Sequence, residues 1–201
     1  MQTILGVMAG TVLAITVFPQ AIRAWKVSTH GVSPTTYQLI VAVGGTWVAY
    51  GVTQGLWEVI VADSLYGLSS IVVLACCRRD GARWRDLVPV AVVTTAVAAA
   101  LGATIGAVAI GWFAVTVAGV IRIPQIIDAV RSPDVAGVSV GTWWFGVLGN
   151  LFWFGYGILA EDARLYAGAA VAAVLSFLII AIVEVRRRGR GGALALEGLA
   201  P

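Results

Sequence analysis

The sequence predicts an all-α membrane protein of seven transmembrane helices, with the amino terminus outside and the carboxyl terminus cytoplasmic. Three observations lead there: the composition, the length of the apolar runs, and the side on which the basic residues collect. The 201-residue chain is 60% hydrophobic and 11% charged, with a mean hydropathy of +0.94. A soluble domain carries about 25% charged residues, so most of this surface cannot face water.

Apolar runs of roughly 17–25 residues are long enough to cross the hydrocarbon core. Such runs lie at about residues 3–22, 37–53, 59–77, 87–101, 105–123, 141–159 and 165–183. They are continuously apolar rather than alternating, which excludes a β-barrel. The first run has no basic leader and no small-residue cleavage site, so it reads as a retained helix and not a signal peptide.

Residues 87–121 are the ambiguous stretch. One helix of that length would reach roughly 50 Å, far beyond a core of about 30 Å. Two helices turning near Gly102 fit. The basic residues test this independently, because short cytoplasmic loops carry the Lys/Arg excess. With seven crossings, one side collects Arg23, Lys26, Arg78, Arg79, Arg83, Arg85, Arg122, Arg131, Arg186, Arg187, Arg188 and Arg190. The other side holds Arg164 alone. Six crossings would divide them almost evenly, so seven is the count that obeys the rule.

Several chemistries are unsupported. Cys76 and Cys77 are adjacent, and a bond between neighbours would be badly strained. The single histidine, His30, falls in a loop, and no cluster has metal-ligand spacing. No paired carboxylates or nucleophile–base set lies in the spans, so no enzyme, metal or cofactor is expected. The net charge of +3 sits in topogenic loops and does not argue for nucleic acid.

The chain also repeats itself. "FPQAIRAWKVSTHGVS", residues 18–33, is echoed by "IPQIIDAVRSPDVAGVS", residues 123–139. Pro19-Gln20 matches Pro124-Gln125 at a spacing of 105. After one inserted residue, Gly31-Val32-Ser33 matches Gly137-Val138-Ser139 at 106. Thr36 with Thr142, Trp47 with Trp153, and Tyr50-Gly51 with Tyr156-Gly157 continue that register. The division is a first triple-helix unit at residues 1–80, a linker helix within 81–104, a second unit at 105–185, and a basic, disordered cytoplasmic tail at 186–201. The added helix restores the orientation of the second unit, which gives parallel 3+1+3 repeats, a known transporter architecture.

Pro-Gln ending the first helix of a unit, Gly-Val-Ser opening the second, and Trp-x-x-Tyr-Gly near its exit resemble the PQ-loop family. The 3+1+3 layout resembles the SWEET sugar transporters, whose half-size bacterial relatives are the SemiSWEETs. The resemblance covers roughly residues 3–185. The same superfamily includes cystinosin-like amino-acid exporters and KDEL receptors, so the motifs speak for the fold more than for the substrate.

Pro19 and Pro124 lack an amide hydrogen, so the carbonyls of Ile15 and Val120 lose their helical partners. With Gln20 and Gln125 beside them, they read as paired hinges at the cytoplasmic mouth. Trp47 and Asp63 each count to roughly 8–9 Å below the outer boundary, and Trp153 and Ala169 match them in the second unit. In the SWEET relatives, a tryptophan and an asparagine with this separation line the sugar pocket. The resemblance therefore implies a substrate site at Trp47, Asp63, Trp153 and Ala169, with both asparagines replaced. A carboxylate inside a membrane generally faces a cavity, and Asp63 is also a candidate for proton coupling. Asn150, one turn inside Trp153, reads equally as pocket lining or as a helix–helix hydrogen-bond partner. Trp25, Trp57, Trp84, Trp143 and Trp144 read as an interfacial belt, and Trp112 as core packing ahead of a place in the same layer as Trp47.

The expected function is transport of a small polar organic solute, foremost a sugar, by alternating access in the cytoplasmic membrane. Two repeats in one chain complete a pocket without a partner subunit, though an oligomer stays open. Proton-coupled transport of an amino acid or cationic metabolite through Asp63 is the alternative. A non-transporting receptor of the same fold would call for cavity-facing basic residues, and none is expected at membrane depth.

Overall fold

The computed structural model describes residues 1–29, 32–131 and 140–197, the side chains of 128 and 189–197 excepted. His30, Gly31, the second Gly-Val-Ser at 137–139 and the last residues of the tail lie outside the described residues. Every regular element within them is helical.

Helix α1 (Gln2–Lys26) runs on through Pro19 instead of ending there. Helix α2 (Pro34–Gln54) opens with Pro34 in its first turn, where a missing amide hydrogen costs nothing. It stops at Gly55, whose φ of 69° is the left-handed cap that glycine supplies. Helix α3 (Trp57–Arg79) has Glu58 in its first turn and Arg78 and Arg79 in its last, complementing the helix dipole at both ends.

A 3₁₀ turn (Trp84–Asp86) leads into α4 (Pro89–Thr104). Gln38 of α2 holds that junction, donating to the Asp86 carbonyl at 2.6 Å and accepting from the Val90 amide at 3.1 Å. One otherwise unpaired amide at the helix start is thereby satisfied. The reversal into α5 (Ala107–Val120) falls at Gly106, with φ 105°, and not near Gly102 as the sequence suggested. The reversal needs a positive φ, which glycine adopts without strain. Gly102 serves close packing instead: a Cβ there would stand 2.8 Å from Ile110 Cδ1.

The fifth expected span is broken. Helix α5 ends at Val120, a turn occupies Ile121–Arg122, and α6 (Ile123–Arg131) starts with Pro124 in its first turn. The two prolines are therefore not equivalent locally, since α1 passes through its proline and α5 stops short of its own. Helices α7 (Val140–Leu159) and α8 (Ala163–Glu197) complete the fold. Helix α8 continues past residue 186, where the sequence placed a disordered tail.

With α5 and α6 counted as one span, seven helices are described. Gln2–Lys26, Trp57–Arg79, Ala107–Arg131 and Ala163–Arg188 are long and apolar enough to cross a membrane, and α4 is apolar but shorter.

The helices pack in a matched pattern. Helix α3 touches both α1 and α2, as α8 touches both α5 and α7. Helix α1 lies on α7, and α2 on α5, while α4 sits against α2 and α5. Small buried residues such as Ala9, Ala24, Ala42 and Ala114 permit the close approaches typical of helices in lipid. The matched ends are braced alike. Arg79 donates from Nη2 to the Ala24 carbonyl and from Nη1 to the Trp25 carbonyl, each at 3.1 Å. Arg186 donates from Nη1 to the Ala129 carbonyl at 2.8 Å and the Val130 carbonyl at 3.1 Å.

Candidate functional site

A cavity of about 360 Å³ lies between α1, α2 and α3 on one side and α5, α7 and α8 on the other. Trp47, Asp63, Asn150, Trp153 and Ala169, the residues the sequence nominated, all line it. Pro19, Gln20, Pro124 and Gln125 do not line it. The cavity reaches Thr36 and Thr142, in the first turns of α2 and α7, so it extends toward the end of the bundle where α1 finishes.

The opposite end is shut by crossed hydrogen bonds. Trp47 meets Tyr50 edge to face, with centroids 5.9 Å apart, and Trp153 meets Tyr156 likewise at 5.3 Å. Both tyrosines are fully buried. The Tyr50 hydroxyl of α2 donates to Asp162 Oδ2, just before α8. The Tyr156 hydroxyl of α7 donates to Glu58 Oε2 of α3 at 2.9 Å. Each bond crosses from one set of helices to the other. Arg164 Nε holds Asp162 Oδ1 at 2.8 Å, with its guanidinium 5.5 Å from the Tyr50 ring centroid. Thr3 Oγ1 donates to Glu58 Oε1 at 3.1 Å. Burial pushes the Asp162 carboxyl up, yet the hydrogen bonds from Arg164 and Tyr50 outweigh it and hold it below the ordinary range.

Sequence reasoning missed this closure, because Glu58 and Asp162 lie at helix ends with no local sign of a partner. Both are buried. The glycines of the Tyr-Gly pairs explain how the chain comes so close. A Cβ on Gly157 would stand 2.5 Å from the Tyr166 amide nitrogen, and one on Gly51 would stand 3.0 Å from Ile60 Cγ1.

Asp63 is 8% exposed and lines the cavity; among the described residues no donor bonds to its carboxylate. Asn150 donates to the Gly146 carbonyl at 2.7 Å, which leaves its side-chain oxygen as an acceptor. Trp47 lies flush on α8, where a Cβ on Gly168 would come within 2.9 Å of the indole.

Residues 106–163 match the family model described as PQ loop repeat. The matched segment holds Pro124-Gln125, Asn150, Trp153 and Tyr156-Gly157, the second copy of the repeated motif. No curated protein matches the chain. The PQ-loop family includes transporters and related membrane proteins. Together with the four membrane-length helices, the match makes this a multi-pass membrane protein.

The PQ-loop segment also carries residues that sequence reasoning placed elsewhere. Trp143, assigned to the interfacial belt, lines the cavity, whereas Trp25, Trp57, Trp84 and Trp144 are exposed as a belt would be. Trp112 is 48% exposed and so is not core. Arg122, counted with the cytoplasmic loops, lines the cavity from the α5–α6 turn. The broken helix accounts for it: a loop arginine in a simple hydropathy count becomes a wall residue once the chain turns beneath the cavity.

Proposed function

We propose that the protein is a transporter of a small polar organic solute, working by alternating access between two three-helix bundles. The bundles are α1–α3 and the set formed by α5–α6, α7 and α8, in parallel 3+1+3 order with α4 as connector. The amino terminus is outside, and the membrane is the cytoplasmic one. The observation that carries the reading is one cavity walled by both bundles and closed at a single end by Tyr50–Asp162 and Tyr156–Glu58.

Support for the paired bundles comes from the exchanged contacts α1 on α7 and α2 on α5, and from the matching Arg79 and Arg186 braces. Alternating access needs a closure that breaks and reforms, and a hydrogen-bonded layer that spans the bundles provides one. Indoles facing the cavity from matched positions favour a sugar, whose ring face stacks on them, with Asp63 accepting hydroxyls. A carboxylate and a guanidinium in the same wall favour instead a solute that carries charge.

The test is uptake into liposomes reconstituted with purified protein, using labelled glucose, amino acids and organic acids with and without a pH gradient. Saturable uptake of any of these supports transport. A solute that binds tightly yet shows neither uptake nor counterflow would convert the protein into a receptor.

A further inference from the structure

Resting on the transport reading, we infer that Arg122 is the carboxylate-binding residue of the cavity, so that the solute carried is an organic acid or an amino acid and not a neutral sugar. The guanidinium is built in. Its Nη1 donates to the Ala118 carbonyl, one turn back along α5, at 2.6 Å. Its Nε donates to Ser176 Oγ of α8 at 3.4 Å. Ser176 is fully buried, and its own hydroxyl donates to the Ala172 carbonyl at 2.7 Å, so its oxygen is fixed as an acceptor.

An arginine has five N–H donors, and these bonds use two. Among the described residues Arg122 makes no ion pair, although Asp80, Asp86, Asp162 and Glu184 each have an arginine partner. A cation at membrane depth faces a cavity or a counter-charge, and this one has the cavity. The planar fork suits a carboxylate, which accepts two parallel bonds from it.

The other end of the solute has a place as well. Asp63 of α3 and Arg122 of the α5–α6 turn both line the cavity of about 360 Å³, a size that suits a small metabolite. Asp63 would accept an ammonium or hydroxyls there. The first bundle supplies the acid and the second the base. At matching positions stand Ala169 for Asp63 and Val17 for Arg122, both also on the cavity wall. A solute held at both ends would therefore link the two bundles in one orientation.

The experiment measures binding of glucose, gluconate and δ-aminovalerate to the purified full chain by isothermal titration, followed by liposome uptake. Arg122→Gln and Arg122→Lys are compared with the unaltered protein, each checked for a single monodisperse peak. Gluconate or δ-aminovalerate should bind the unaltered protein at least about tenfold tighter than glucose. Arg122→Gln should abolish that margin, and Arg122→Lys should keep part of it. Gluconate alone binding assigns hydroxyls to Asp63; δ-aminovalerate alone assigns an ammonium. Glucose preferred by the unaltered protein would overturn the inference even if neither variant folds, as would gluconate affinity unchanged in Arg122→Gln. Arg122-dependent binding without uptake would keep the carboxylate site and remove transport; glucose uptake indifferent to Arg122 would do the reverse.

Discussion

Trp47 of α2 lies against Gly168 of α8, so close that a single added carbon on the glycine would reach 2.9 Å from indole Cζ2 and 3.3 Å from Cη2. The contact sets one wall of the cavity, because the ring stands where a side chain on α8 would otherwise go. Gly168→Ala should therefore push the indole off its seat, with an overpacking cost of about 1–3 kcal/mol. Thermal melting should fall, and adding Trp47→Phe should recover most of the loss. Full additivity of the two changes in a double-mutant cycle would mean that the contact is not felt.

The two crossed tyrosine bonds differ in what remains when the hydroxyl is removed. Asp162 keeps Arg164 through Nε and the backbone amide, whereas Glu58 keeps only Thr3 among the described partners. Tyr156→Phe should cost more than Tyr50→Phe, each within about 1–3 kcal/mol for a bond to a charged group. Both should make a cysteine probe placed at Ala49, which packs against the cluster that holds Tyr50 and Tyr156, react faster with a membrane-impermeant reagent. Equal melting shifts would show that Arg164 contributes nothing to holding Asp162.

Acid should loosen both ends of the bundle. Asp80, like Asp162, is held below the ordinary carboxylate range, first by the hydrogen bond from Arg79 and then by the Thr29 hydroxyl and amide. A depressed folded value means stabilisation that is complete above the ordinary range, about pH 4, and lost as pH falls through the folded value. Melting temperature should thus be flat near neutrality and drop steeply below about pH 4. Asp162→Asn and Asp80→Asn should each flatten that drop. An unaltered slope in both variants would assign the acid sensitivity to other groups.

The Arg79 and Arg186 braces tie the last carbonyls of α1 and α6 to the end of α3 and to the body of α8. Removing either arginine should raise amide exchange in its own pair of helix ends and leave the other pair unchanged. The effect of Arg79 removal on melting should be small, since its side chain is exposed. Exchange rising at both ends would mean that the two bundles communicate.

Pro19 and Pro124, which the sequence reads as paired hinges, yield a contrast. Helix α1 is continuous through Pro19, while α5 has already ended at Val120 before Pro124. Pro19→Ala should stiffen α1 and slow uptake. Pro124→Ala, at a first-turn position that tolerates proline, should change uptake much less. Equal effects would restore the symmetric pair of hinges.

Composition and run length determined the helical class and the approximate spans, because burial in lipid leaves little choice of residue type. The repeated Trp-x-x-Tyr-Gly segments carry Trp47 and Trp153, which line the cavity together with Asn150 and with Asp63 and Ala169, the residues the SWEET resemblance nominated, whereas the Pro-Gln pairs do not line it. Local signals went no further. Gly102 and Gly106 look alike in one dimension, and only packing shows that one turns the chain while the other admits Ile110. Glu58 and Asp162 showed no local sign of a partner, and Arg122 read as a loop charge, for the same reason. Their partners, Tyr156, Tyr50 and Ser176, lie 98, 112 and 54 residues away. Which charges face one another is a property of how the helices cross, and that relation between distant parts of the chain was decided by the tertiary structure alone.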